Sequence, residues 1–341
     1  MDLCEGLGFN FLLRQERKVY KIALRAFSSM AASFDCPPEA HGVDMMKAVQ
    51  AVLDDNPLVA YFDRTQIQTV ESKSGTKVIL TVVHPKPRAQ EMAAGLGAKA
   101  DEIALQIKSA SRNDCTMLVN LYKYLQKNVR YDENEREAVL KGKCNSPSAH
   151  NAYGALLNGV AVCDGFSSAF ALLAQKLGFE CMLVAGRSAD PSAGSVSHAW
   201  NIVKARGRFY HMDVTYDARY YDELGMHSYE YFALKDEEIS SDHGWDKSRA
   251  PACSHNDISY YSLNGTYIES TDRLCEIVKK HGGKLDMVFR IKLSPSVSFP
   301  GDTGKYLADM ITSEWVKTSG NVKINYGWNE KTRCFFAKAE N

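Results

Sequence analysis

Nine cysteines run from Cys4 to Cys334, and no two of them form a C-x-x-C pair. That absence excludes a zinc ribbon and a thioredoxin-like redox motif. An odd count in a chain of 341 residues also argues against a dense disulfide framework, leaving reduced and mostly buried thiols. Charge of one sign is missing too. Lys plus Arg and Asp plus Glu are 41 each, and like charges never form a long block. Neither nucleic acid nor an anionic membrane surface is therefore an expected partner. No run approaches the ~18 consecutive apolar residues of a membrane span. The start, "MDLCEGLGFNFLLRQERKVYKIALRAF", has no basic stretch ahead of its apolar residues, so the expected location is cytoplasmic. A secreted protein whose leader had already gone would give the same sequence. There is no internal repeat and no low-complexity tract.

What is present is an ordinary globular composition, 45% apolar and 24% charged. The length predicts two or three domains, expected at 1–85, 86–255 and 256–341. The first region has a helical pattern in "ERKVYKIALRAFSSMAASF" and again in "DMMKAVQAVLDD", then strand-like "LVAYF" and "KVILTVV". Helical spacing returns from Ala89 to Leu125. Leu118, Leu121, Tyr122, Leu125 and Val129 form one stripe, with Asn113 or Asp114 as the cap. Three strand-like runs follow, "ECMLVAG", "HAWNIVKA" and "RFYHMDVTYD". The last region reads as strand, helix, strand, helix and hairpin, in the runs "ISYYSLNGTYI", "TDRLCEIVKKHGG", "KLDMVFRIKL", "TGKYLADMITSEWV", and "VKINYGW" with "RCFFAKA".

Within "NGVAVCDGFSSAFALLAQKLG", Cys163 stands where a loop becomes a helix, whose Phe166, Phe170, Leu173 and Leu177 recur at helical steps. A free thiol with pKa about 8.5 is a weak nucleophile at neutral pH. A helix N-terminus favours its anion, and the Cys163 N–H, outside the helical ladder, can donate to a developing oxyanion. Cys115 also starts a helix but falls on the apolar stripe. Cys181 lies inside an apolar strand, and Cys144 sits in a polar loop where no base can be placed beside it. Downstream, "SHAWNIVKARGRFYHMDVTYD" supplies a base and an acid. A two-residue turn at Arg206 and Gly207 pairs Ala205 with Arg208 and sets His198 opposite Thr215. Asp213 is then a same-face diagonal neighbour of His198, about 7–8 Å away at the backbone, within reach of an imidazole and a carboxylate. A three-residue loop would send Asp213 to the other face. Taken singly, His198 is better explained as a satisfied strand histidine and Asp213 as a strand-end carboxylate. The three together, in order and on compatible elements, favour a nucleophile–base–orienter triad of Cys163, His198 and Asp213.

At these residues the chain resembles the transglutaminase-like superfamily, in particular its bacterial members of unassigned substrate. The blocks "AYGALLNGVAVCDGFSSAFALL", "HAWNIV" and "FYHMDVTYD" carry the resemblance, supported by "LYKYLQKNVRYD" upstream and "YEYFALKDEEISSDHGWD" downstream. Residue by residue, the family's catalytic cysteine, histidine and aspartate fall on Cys163, His198 and Asp213. The resemblance implies an α+β, papain-like core, a nucleophile helix packed on an antiparallel sheet, between an N-terminal α/β region and a small C-terminal α/β domain. It also implies acyl transfer through a thioester, with hydrolysis or an amine acceptor left open. No acidic loop has calcium-ligand spacing, so no metal is expected, and no cofactor.

Tyr153 is a candidate oxyanion donor or cleft-lining residue, with plain packing equally open. Trp200 shares the strand face of His198 and is a candidate wall of the site, with core packing as the alternative. Asp164 and Gly165 are expected to shape the helix start, His211 to be structural, and His243 and Trp245 to anchor the loop that closes the core. The leading expectation is a cysteine protease, amidase or transglutaminase acting on peptide or isopeptide amides, with a protein or peptide as partner. The alternative is an inactive module that binds peptide or scaffolds a complex. A redox thiol protein is weaker, since Cys163 has no resolving partner in sequence. Oligomeric state and substrate identity are not written in the residues.

Overall fold

The computed structural model of the protein describes residues 3–40, 44–73, 75–190, 194–281 and 287–339. Two compact units emerge, Met1–Asp236 with His243–His255, and Glu237–Asp242 with Asn256–Asn341.

The first unit begins with helix α1 (Arg14–Ser29), which buries Val19, Tyr20, Ala23 and Phe27. Its helical pattern was expected to run to Phe34. Instead Met30 takes a left-handed conformation and ends it, and Phe34 belongs to strand β1 (Ser33–Cys36). Helix α2 (Met45–Asp55) is capped by the Asp44 carboxylate. Strands β2 (Phe62–Ser72) and β3 (Gly75–Val82) complete a sheet in the order β1-β3-β2. "LVAYF" was expected to be the first of these strands, yet β2 extends through the polar "DRTQIQTVES" and exposes most of it. Pairing with β3 holds that edge, where hydrophobicity gives no signal. The boundary expected near residue 85 falls just before α3 (Lys86–Ser109), inside this unit.

Helix α4 (Asp114–Asn128) starts at Asn113, whose side chain accepts the Thr116 N–H, and it buries Cys115, Leu118, Leu121, Tyr122 and Leu125 as one stripe. After a short strand β4 (Arg130–Tyr131), helix α5 (Glu133–Leu140) and strand β5 (Val160–Ala161) comes α6 (Cys163–Lys176). Ten of its residues are buried, Gly165 through Ala174, so it is a central helix and not a surface one. It packs on β6 (Glu180–Asp190) and β7 (Gly194–Ala205). With β8 (Arg208–Met212), β9 (Phe232–Leu234) and β10 (His243–Gly244), these form an antiparallel sheet ordered β10-β6-β7-β8-β9. Helix α7 (Val214–Leu224) leaves β8 and packs on α4, where the Tyr122 hydroxyl lies 2.7 Å from the Asp213 carbonyl oxygen and 2.6 Å from Asp217 Oδ2, with one proton to share between them. The unit is thus α+β, with a helix carrying Cys163 laid on an antiparallel sheet.

A single turn, α8 (Asp236–Ile239), leads toward the second unit. There, α9 (Tyr260–Leu263) and β11 (Tyr267–Ile268) occupy the run expected to be one strand. Helix α10 (Thr271–His281), β12 (Phe289–Leu293), α11 (Thr303–Ser319) and the hairpin β13 (Ile324–Asn329) and β14 (Cys334–Ala339) follow in the expected order. The first residues of the run expected to give β12, 284–286, lie outside the described residues. The sheet order is β11-β12-β14-β13, over a core that includes Leu274, Phe289, Ile291, Trp315 and Phe335. Among the described residues no helix is long and apolar enough to cross a membrane.

Two glycines test this packing in opposite directions. A Cβ at Gly165 would lie 2.3 Å from the Ala149 carbonyl oxygen, whereas Gly95 in α3 has nothing within 4 Å. Gly165→Ala should destabilise by about 1–3 kcal/mol, and Gly95→Ala should stabilise by up to about 1 kcal/mol. Urea unfolding of both variants checks the pair.

Candidate active site

Cys163 is the first residue of α6. Val162 before it is extended and offers no side-chain cap, while its N–H donates to the Ala149 carbonyl at 3.0 Å. Asp164 and Gly165 follow at the tight contact just described. The Cys163 N–H, first of the helix, has no intrahelical acceptor. The residue is partly exposed and lines a cleft of about 600 Å³. Burial, then the Asp164 charge, push the thiol up, although the Ala199 and Asp164 N–H groups donate to the sulfur and oppose them. Burial thus works against the stabilisation that a helix N-terminus gives a thiolate. An anion here needs a proton acceptor.

His198, on β7, lines the same cleft. The β7–β8 hairpin turns at Arg206 and Gly207, both at positive φ, and pairs Ala205 with Arg208 and Asn201 with Met212. The strand expected to continue through Asp217 stops at Met212, and Thr215 lies in α7. Asp213 causes this switch, because its Oδ1 accepts the Thr215 N–H at 3.0 Å and the Tyr216 N–H at 3.3 Å, capping α7. Its Oδ2 meets His198 Nε2 at 2.6 Å. Burial of Asp213 opposes ionisation, but the His198 charge and hydrogen bond, followed by His243, hold its carboxyl well below the usual carboxylate range. With an ionised Asp213 accepting at Nε2, Nδ1 is the nitrogen of His198 left to take a proton.

His243, expected only to anchor a loop, places Nε2 3.0 Å from the same Asp213 Oδ2. Strand β10 carries it there by pairing His243 with Ser188. Trp200 stacks on His198 with centroids 6.0 Å apart, and Tyr216 and His243 meet the imidazole edge-on at 5.2 and 5.4 Å. Trp200 is fully buried and its Nε1 donates to His211 Nδ1 at 3.0 Å. It backs the histidine from inside the core and is not among the residues lining the cleft. Tyr153 is not among them either. It sits half-buried at the start of the turn Gly154–Asn158, with its N–H on Asn151 Oδ1. His211 Nε2 reaches Asp236 Oδ1 at 2.8 Å, which suits the structural role expected of it.

A second charged set flanks the nucleophile and was not foreseen. His150 Nδ1 lies 3.1 Å from Asp164 Oδ2, and its Nε2 3.1 Å from Glu135 Oε1. Burial disfavours the imidazolium, yet Asp164 and then Glu135 outweigh it and raise the His150 pKa. Cys144, for which no nearby base was expected, lies within 4.8 Å of Glu135 and His150 donor atoms. Behind α6, Arg64 of β2 bonds Asp54, Gln50 and Ser168.

Among the described residues, three groups have metal-ligand composition: Glu135, Cys144 and His150; His198, Asp213 and His243; and His211, Asp236 and Cys253. Their histidines and carboxylates hydrogen-bond one another. His150 lies between two carboxylates, His198 and His243 both approach one carboxylate oxygen, and Trp200 fixes the His211 proton on Nε2, facing Asp236.

Residues 101–214 match the family described as the transglutaminase-like superfamily. No curated protein matches the chain. Among solved structures, "Crystal structure of a TGase" is similar at TM-score 0.33 and 13% identity, over 44% of this chain and 44% of that one. A putative cysteine protease from Cytophaga hutchinsonii follows at 0.29 and 14%, over 44% and 61%. The periplasmic domain of TgpA from Pseudomonas aeruginosa gives 0.28 and 14%, over 47% and 66%. The chain spans less than two thirds of the length of each. Likeness at those TM-scores carries no weight for function.

Because the folded Asp213 is more acidic than an unfolded aspartate, its contribution to stability is complete above pH ~4 and is lost as pH falls. Removing a donor narrows that shift. His243→Ala should therefore start less stable at neutral pH and lose less stability than wild type between about pH 5 and pH 2. His243→Gln, which keeps an N–H donor, should recover part of the difference. Urea unfolding across that pH range measures both.

Proposed function

With residues 101–214 belonging to the transglutaminase-like superfamily, we propose that the chain catalyses acyl transfer from peptide or isopeptide amides through Cys163, His198 and Asp213. The observation that carries this reading is the 2.6 Å bond between His198 Nε2 and a buried, ionised Asp213, in the same cleft as a cysteine at a helix N-terminus. The bond turns Nδ1 into the basic nitrogen. Since burial pushes the Cys163 thiol up, thiolate forms by handing its proton to Nδ1, as an ion pair and not as a lone anion.

The sulfur then adds to the amide carbonyl carbon, and the carbonyl oxygen takes the negative charge facing the Cys163 N–H. Collapse expels the amine, which leaves with the proton from His198, and a thioester remains. Water or a second amine attacks the thioester with His198 again as base, and the sulfur departs as the thiolate. Asp213 holds the ring orientation through both halves. The upward shift of the thiol also favours a second reading, an inert peptide-binding module in which Cys163 stays protonated.

Iodoacetamide labelling of Cys163, followed by peptide mass spectrometry against pH, separates the two. Fast labelling below pH 8 that is lost in His198→Ala supports the ion pair. Slow labelling, unaffected by His198→Ala, supports the inert module and ends the proposal. In turnover of peptide amides, Cys163→Ala should cost at least about a thousandfold and Asp213→Asn roughly 10²–10⁴.

A further inference from the structure

The acyl-transfer reading leaves open what the cleft selects. Three walls surround Cys163, and each brings an arginine: Arg136 from α5, Arg187 from β6 and Arg219 from α7. The chain as a whole has no net charge, so this is a local excess and not a reflection of composition.

The acidic groups described around Arg187 and Arg219 do not hold them tightly. Among the cleft-lining residues described, Asp164 is the one carboxylate, and it is committed to His150 at 3.1 Å. Arg187 is held by the Ser195 hydroxyl and carbonyl and has no carboxylate partner among the described residues. Arg219 lies over the Tyr131 ring, 5.0 Å from its centroid. It meets Glu133 at 3.9 Å. Arg136 reaches the same Glu133 at 3.8 Å. Glu133 is exposed, and both distances exceed a hydrogen bond. It marks a place between two guanidinium groups where a carboxylate sits without being gripped.

A planar guanidinium fork suits a carboxylate. Arg136 and Arg219 are partly buried and Arg187 is exposed, and cations gathered at the walls of a cleft attract an anion more strongly than the same charges spread over an open surface. We propose that the cleft is built for an acidic peptide, with Arg219 and Arg187 engaging side-chain carboxylates beside the amide that Cys163 attacks. This deepens the acyl-transfer reading and rests on it for the identity of the site. Exposed Val139 and Leu140 on α5 line the rim beside Arg136.

The test uses full-length Cys163→Ala, which lacks the nucleophile, and fluorescence anisotropy. The probes are a fluorescein-labelled, end-blocked peptide carrying three glutamates and its counterpart with three glutamines. The glutamate peptide should bind about tenfold tighter, the sum of a few weak charge pairs. That advantage should shrink as salt rises from about 0.05 to about 0.5 M. Arg187→Gln combined with Arg219→Gln should abolish the difference in affinity between the two peptides. Equal affinity for the two peptides, no saturable binding of the glutamate peptide, or an advantage that survives both salt and the double substitution would overturn the proposal. Turnover by wild type separates this from the parent reading. Preferential binding without cleavage or amine transfer of either peptide sinks the chemistry and leaves the charge selection standing. Equal binding with equal cleavage does the reverse.

Discussion

A single buried carboxylate organises the centre of this molecule. Asp213 is fully buried, a situation that costs several kcal/mol for an ion left without partners. It is surrounded instead by four donors, the His198 and His243 imidazoles and the N–H groups of Thr215 and Tyr216. Those donors come from β7, β10 and α7. The end of the sheet, the start of a helix and the orientation of a histidine are therefore parts of one electrostatic arrangement. Tyr122 adds α4 to it by bonding the Asp213 carbonyl and the Asp217 carboxylate.

The nucleophile side rests on close backbone approach. Gly165 lets α6 come up to the Ala149 carbonyl, and Gly186, paired with His198, leaves room for the Trp200 ring 2.7 Å from where its Cβ would be. Around Cys163 the charges are largely internal. Burial opposes the His150 imidazolium, but Asp164 and then Glu135 raise its pKa, and Arg64 balances Asp54 behind the helix. This layer carries two carboxylates to one imidazole and no excess positive charge, so the positive charge facing the cleft comes from its arginines.

Much of the helical framework was legible because apolar stripes and caps are local. The Asn113 cap, the Leu118–Leu125 stripe and the Arg206–Gly207 turn needed no tertiary information. The parity of that turn was enough to bring Asp213 to the His198 side. What could not be seen was long-range. Nothing in "DHGWD" says that His243 pairs across to Ser188 and so faces Asp213. Nothing local places His150 between Asp164 and Glu135, or makes a strand of the polar "DRTQIQTVES". Tyr153 and Trp200 were chosen by sequence nearness to Cys163 and His198. Neither borders the cleft, since a turn carries Tyr153 away and Trp200, on the same face as His198, lies behind that ring in the core. The signal that was present and underused was Asp213 itself, an aspartate just before a helical run, which is an N-cap pattern.

The His198 ring is stacked on Trp200, edged by Tyr216 and His243, and bonded to Asp213 at Nε2. Turning it over would break that bond and displace packed aromatics. On the proposed chemistry, one nitrogen must accept the proton from sulfur, deliver it to the departing amine, and collect the next from the incoming acceptor. Departing and arriving groups thus need the same doorway. The two half-reactions cannot overlap in time, and the first product must vacate before the second substrate enters, the kinetic order known as ping-pong.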